Sequence, residues 1–219
     1  LLQLLVGNID QIMVSHYSQG SVAAIGNGNQ IMNIIILVLS SMTVATTVLI
    51  SRYFGAGDPE KAKSVSNASI YSLSFFSIVV TLLIYGFQRP LFQWLQVPNE
   101  ILDETCSYTV IVSTCVLIQA IYMVFASILR SHKLMKYVTF VAIIMNTLNI
   151  LGNAILINGL FGFPRLGIIG AAISTNISKF IGLVIIILVF LKKTNMGLGF
   201  LNLKYFSFNM AKKVLLIAV

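Results

Sequence analysis

A cation-binding chemistry is written into the polar residues that interrupt the most apolar parts of this sequence. Asp10 is a carboxylate inside an apolar stretch, Asn149 and Asn153 are four residues apart with Asn146 three before them, and Thr175 precedes Lys179 by four. A carboxylate can take up a proton, and a carboxylate grouped with amide and hydroxyl oxygens also suits a hard cation such as sodium. An ionisable residue in an apolar segment is costly and points to function. The other acidic residues, Asp58, Glu60, Glu100, Asp103 and Glu104, fall in polar connections or at the end of an apolar run. Two bland readings compete: Asp10 reaching up to the headgroups, and the Asn and Thr residues serving only as interhelical glue at about 0.6 kcal/mol per bond.

The elements that must position these residues follow from composition. Of the 219 residues 58% are apolar and only 9% charged, against about 25% charged in soluble domains. A water-soluble surface needs more charge than this, which excludes a soluble enzyme. A helix crosses a bilayer with about 20 mostly apolar residues. Uncharged runs cover 31–50, 64–88, 105–129 and 137–158, and a fifth, 166–191, is interrupted only by Lys179. Each predicts a span.

The stretch before Ser15 predicts a first span without its beginning, and 214–219 predicts the start of a seventh. The expected architecture is an all-α integral membrane protein. Residues 1–191 form a six-helix transmembrane bundle with its first helix truncated, and 192–219 form a cytoplasmic linker leading into the next helix. With about 1.5 Å of rise per residue, Asn149 and Thr175 both lie about 13 Å below the outer surface, and Asn153 and Asp10 about 7 Å. These four residues occupy one slab of the outer leaflet. Lys179 is about 20 Å from the outer end and 18 Å from the inner, so it is expected to face protein or a water-filled cavity.

The 14 Lys+Arg and 6 Asp+Glu leave a formal charge of +8. The basic residues cluster after alternate spans: Arg52, Lys61 and Lys63; Arg130, Lys133 and Lys136; then Lys192, Lys193, Lys204, Lys212 and Lys213. Only Arg89 and Arg165 fall in the other connections. The basic loops and the N-terminus are therefore expected in the cytoplasm of a multi-pass protein of the cell membrane. The excess fixes orientation, and no nucleic-acid partner is expected. Within the first basic loop, Asp58, Pro59 and Glu60 predict an N-cap, an N1 proline and an acidic first turn, not a phosphate-binding loop. Phe92, Trp94 and Pro98 predict an interfacial segment, and 197–208, which interleaves aromatics with Lys204, predicts one along the cytoplasmic surface. Cys106 and Cys115 are too far apart along one helix to bond each other, and no structural metal site or cofactor is expected.

Several motifs stand in the order and spacing of a known family. Asn8-Ile9-Asp10-Gln11-Ile12-Met13-Val14 resembles the first-helix signature of the multidrug and toxin extrusion (MATE) transporters. Ala23-Ala24-Ile25-Gly26, Ser51-Arg52-Tyr53-Phe54-Gly55-Ala56-Gly57, Leu129-Arg130, Leu148-Asn149-Ile150 and the run from Gly167 to Thr175 continue the resemblance over essentially the whole chain. It implies one lobe, the N-terminal one, of a twelve-helix transporter built from two six-helix halves around a central cavity. It also implies secondary active transport: antiport of drugs or other small organic, often cationic, compounds against protons or sodium ions. The C-terminal lobe of the full-length chain and the lipid bilayer are then the partners. By the motif register the coupling ion falls on Asp10, Asn149, Asn153 and Thr175. Tyr108 lies where an aromatic hydroxyl joins that site, and Tyr108, Asn146 and Lys179 are candidates for the substrate cavity. Asn153 stands where the family carries a second acid, Ser15 where it carries Gly, and Ser131 and Val138 where Gly and Pro follow Leu-Arg.

Two alternatives are weighed against this. Superfamily relatives that flip lipid-linked saccharides tend to line the cavity with several basic residues, whereas here Lys179 alone is at depth. A membrane enzyme needs a cluster of His, Asp, Glu or an activated nucleophile at one depth. His16 and His132 fall on opposite sides, and no second carboxylate accompanies Asp10 in the membrane. An enzyme is therefore not expected.

Overall fold

The apolar runs fold into helices, and each has a local reason to start or stop. The computed structural model of the chain describes residues 19–194 and 196–218; Asp10, the first span and its motif lie outside them. The described helices are α1 (Gln19–Gly55), α2 (Pro59–Trp94), α3 (Asn99–Ser113), α4 (Val116–Ser131), α5 (Met135–Asn158), α6 (Gly167–Lys193) and α7 (Phe208–Ala218), with short 3-10 turns at Leu160–Gly162, Leu198–Leu201 and Leu203–Tyr205. No strand occurs among the described residues. Four helices, α1, α2, α5 and α6, are long and apolar enough to span a membrane, and α3 with α4 makes a fifth when taken together. At 37 and 36 residues, α1 and α2 exceed the roughly 20 that a bilayer core requires.

The predicted start of α2 is present in detail. Asp58 Oδ1 accepts from the backbone N–H of Lys61, which satisfies one of the donors that a helix start leaves unpaired. Lys61 Nζ returns to Asp58 Oδ2 at 2.6 Å.

The fourth span departs from expectation, because it is interrupted at Thr114–Cys115 instead of running unbroken. The N–H of Cys115 turns back to the carbonyl of Val112, so the Ile111 carbonyl loses its helical donor. Side chains supply the replacements. Asn176 Nδ2 and Thr114 Oγ1 both donate to Ile111 O at 2.7 Å, Ser113 Oγ donates to Val110 O, and Thr81 Oγ1 donates to Ser113 O. A break at membrane depth persists only where such partners re-satisfy the backbone.

The described chain packs as two compact units. One comprises the described residues up to Ile35 with Val79–Val116 and Ile143–Ile181; the other comprises Ile36–Ile78, Leu117–Ala142 and Gly182 onward. In the first, Phe92, Val97 and Leu102 form a buried cluster flanked by Ile31, Ile101 and Cys106. Phe92 is therefore core and not interfacial, whereas Trp94 is 79% exposed, as a headgroup anchor requires. Both cysteines are free.

In the second unit, Phe125, Phe190 and Phe200 meet edge to face with centroids 5.1–6.3 Å apart. Within 197–208 this corrects the expectation at Phe200, which is buried at 1% exposure, while Leu203 and Phe208 stay exposed. A ladder on α2 holds the segment in place. Ser64, Asn67 and Tyr71 lie on one helical face, and they donate to the carbonyls of Tyr205 (2.9 Å), Phe200 (2.7 Å) and Leu201 (2.9 Å) respectively. Those carbonyls stand at the ends of short 3-10 turns that do not continue into a helix, which is why three polar residues are kept on α2 to donate to them.

Candidate functional site

The site begins with how closely α5 and α6 approach. Gly152 on α5 sits where a Cβ would come within 2.4 Å of Ser174 Oγ, and Gly170 on α6 where one would come within 2.6 Å of the Leu156 carbonyl. Small residues at such contacts let helix backbones meet in a membrane. The contacts run in opposite directions along the two helices, as expected of an antiparallel pair joined by a short connection. The buried seam of α5 takes every fourth residue, Met145, Asn149, Asn153 and Ile157, none more than 6% exposed. Two amides thus occupy the middle of a seam that is apolar at both ends.

Asn149 is oriented by its partners. Its Nδ2 donates to Thr175 Oγ1 at 3.1 Å, and Thr175 Oγ1 donates its proton to the carbonyl of Ala171 at 2.9 Å. A hydroxyl has one proton to give, so the Asn149 atom facing Thr175 must be the donor NH2. Asn149 Oδ1 therefore points away from Thr175, buried and accepting no hydrogen bond among the described residues. Ser174 Oγ fixes the backbone beneath it by donating to Asn149 O at 2.9 Å. Burying an amide oxygen with no donor is expensive, and such an atom is chemically ready to ligate a cation.

Of the residues selected by sequence, Asn149 and Thr175 are brought into contact, and Asn153 is fully buried one turn along the same face of α5. Asn146 and Lys179 are half-buried on α5 and α6. Tyr108 is buried on α3, and its hydroxyl donates to Asn29 Oδ1 on α1 at 2.9 Å. That approach depends on Gly28, where a Cβ would lie 2.7 Å from the Tyr108 ring. Sequence reasoning missed Asn29; its signal was the polar run Asn27-Gly28-Asn29-Gln30 directly ahead of the uncharged stretch 31–50. At the Ser21 end of α1, a cavity of about 270 Å³ is lined by Ser21, Asp103, Glu104, Ser107, Leu166, Ile168 and Ile169, and Ser21 Oγ donates to Glu104 Oε2 at 3.3 Å. Among the described residues, no group of three or more His, Cys, Asp or Glu could hold a metal ion.

The MatE family model matches residues 1–155, a stretch that contains Asp10, Asn149 and Asn153. The chain belongs to the MatE family. Over 198 residues it is 37% identical to the uncharacterized transporter YisQ of Bacillus subtilis, covering 90% of this chain and 44% of that protein. It is 29% identical over 198 residues to the probable multidrug resistance protein NorM of Thermotoga maritima, covering 88% and 42%. Among solved structures it is similar to an inward-facing multidrug resistance MATE family transporter of the MOP superfamily, with a TM-score of 0.87 at 24% identity over 97% of this chain and 48% of that one. It is also similar to a MATE crystal structure in the bent conformation, with a TM-score of 0.86 at 25% identity over 99% and 48%. The MatE chain thus spans somewhat less than half the length of the relatives it matches, and its fold is that of one lobe of a MATE transporter.

Proposed function

We propose that this chain is the N-terminal lobe of a cation-coupled antiporter exporting small organic, often cationic, compounds across the cell membrane. In this reading Asp10, Asn149, Asn153 and Thr175 bind the coupling ion, a proton or sodium, while Tyr108, Asn146 and Lys179 border the substrate path. The basic loops and the N-terminus are placed on the cytoplasmic side. The observation that carries the reading is the Oδ1 of Asn149, turned away from Thr175, buried and without a donor among the described residues. Amide oxygen suits a hard cation, and Asp10, in the same slab of the outer leaflet by sequence, would supply the charge. The family membership and the multidrug resistance assigned to its NorM relatives support export over other transport.

The coupling logic is thermodynamic. An ion shifts the balance between outward-open and inward-open states only by its differential affinity for them. Occupancy at Asp10 and Asn149 must therefore differ between the two states, and substrate release follows from that difference. The second lobe, which completes the cavity, comes from the remainder of the full-length chain.

The test is efflux of a fluorescent cation from proteoliposomes of the full-length protein, driven by a proton or a sodium gradient. Asp10→Asn is expected to abolish gradient-driven efflux. Efflux by Asp10→Asn with unchanged ion coupling would overturn the assignment.

A further inference from the structure

Two ammonium groups share one aromatic ring where α5 begins and α6 ends. Lys136 Nζ lies 5.2 Å and Lys193 Nζ 5.4 Å from the centroid of Tyr137. Lys133 and Lys192 stand beside them in sequence, and all four lysines are exposed. In the first basic loop both lysines are paired locally, Lys61 with Asp58 and Lys63 with Glu60. None of the ion pairs found among the described residues includes Lys133, Lys136, Lys192 or Lys193. A ring face attracts cations but carries no net charge, so the mutual repulsion of these groups is left for an anion to offset.

The surface beside them names the kind of anion. Phe140 follows Lys136 by one helical turn and is 59% exposed, while Leu188 and Leu191, just before Lys193, are 51% and 41% exposed. These side chains lie on helices long and apolar enough to cross a bilayer, so in a membrane they face acyl chains. A tyrosine at this level sits at headgroup depth. A soluble phosphate or a nucleic acid would use the lysines and leave the apolar strip wet, whereas a phospholipid uses both.

We propose that Lys136, Tyr137 and Lys193 form a binding site for an anionic phospholipid, with the headgroup phosphate at the two ammonium groups and an acyl chain along Phe140, Leu188 and Leu191. Clusters of basic residues at the membrane end of a span attract anionic lipid in this way. The site requires only that these helices span a bilayer and is independent of which ion or substrate the lobe handles.

Native mass spectrometry of the full-length protein, released from vesicles of mixed phosphatidylglycerol and phosphatidylcholine, counts the lipids that stay bound. The double variant Lys136→Gln/Lys193→Gln is expected to lose one retained phosphatidylglycerol per chain with the phosphatidylcholine count unchanged, and Lys136→Arg/Lys193→Arg is expected to keep it. An unchanged phosphatidylglycerol count in the Gln variant, or equal loss of both lipids, would overturn the proposal. Both positions are exposed, so neither substitution disturbs the core, and the count does not depend on transport.

Discussion

Asn149 and Thr175 join α5 to α6 through a single hydrogen bond of 3.1 Å whose direction is dictated by a third residue, Ala171. Because Thr175 spends its proton on the Ala171 carbonyl, Asn149 can only donate to it, and the amide oxygen is left facing elsewhere. One contact thus serves as helix glue and leaves the amide oxygen buried without a donor among the described residues.

The pair should behave asymmetrically when cut. Thr175→Val leaves the Asn149 amide without an acceptor and is expected to cost about 1–3 kcal/mol, whereas Thr175→Ser costs little. Adding Asn149→Leu to Thr175→Val should recover part of the loss. Thermal unfolding in detergent of the wild type, Thr175→Val, Asn149→Leu and the double variant, treated as a double-mutant cycle, measures the coupling.

Loss of the proposed ligand oxygen should be read in transport. Asn149→Ala is expected to weaken ion-driven efflux about tenfold or more, since a hydrogen bond or ligand to a charged group is worth about 1.5–3 kcal/mol. Efflux titrated against sodium concentration and pH checks this, and an unaltered ion dependence would leave Asn149 as glue alone.

The close approach of α5 and α6 makes two glycines unequal. Gly170→Ala would drive a Cβ to within 2.6 Å of a backbone carbonyl, which no rotamer can relieve. Gly152→Ala meets Ser174 Oγ, so removing that hydroxyl opens room. Each alanine is expected to cost about 1–3 kcal/mol, with Ser174→Gly rescuing Gly152→Ala and not Gly170→Ala, as measured by melting temperature.

The α2 ladder predicts how the segment after α6 is released. Phe200→Ala empties the aromatic trio at an expected cost of about 3–5 kcal/mol, and Asn67→Ala strips donors from the Phe200 and Asn202 carbonyls. Limited proteolysis should cut both variants between Met196 and Phe208 faster than the wild type.

Acid should act on the start of α2. The hydrogen bonds from Lys61 hold the Asp58 carboxyl below its ordinary value of 3.8, and Asp58 raises the Lys61 ammonium above 10.5. A lowered carboxyl contributes stability above its unfolded pKa and loses it as pH falls through the folded value; a raised ammonium contributes below its unfolded pKa and loses it as pH rises. The pair therefore acts in full between about pH 4 and pH 10. Asp58→Asn should keep the cap and lose the dependence at acid pH, as read by melting curves at pH 3 and 7.

Much of this was legible residue by residue. The spans were readable because excluding charge from about 20 consecutive positions is a local demand of the bilayer. The start of α2 was readable because Asp58 and Pro59 act on their own helix. That Asn149 and Asn153 share one face of α5 and that Asn149 meets Thr175 was readable because residues four apart share a face and connected spans share depth. The break at Thr114 was not, since Ser113 and Thr114 fit an unbroken helix equally well and its other donors, Thr81 and Asn176, come from distant segments. Asn29 was passed over because its partner, Tyr108, lies 79 residues away.

The chain by itself determined that it is a helical membrane protein and which described segments are long and apolar enough to cross a bilayer, because desolvation penalises each charged residue where it stands. Tertiary structure alone decided which carbonyls lose their helical donors, which side chain replaces them, that 197–208 docks beneath α2, and which way Asn149 turns its oxygen. Those outcomes depend on hydrogen-bond partners distant in sequence, and such a bond is formed only when packing brings donor and acceptor within about 3 Å.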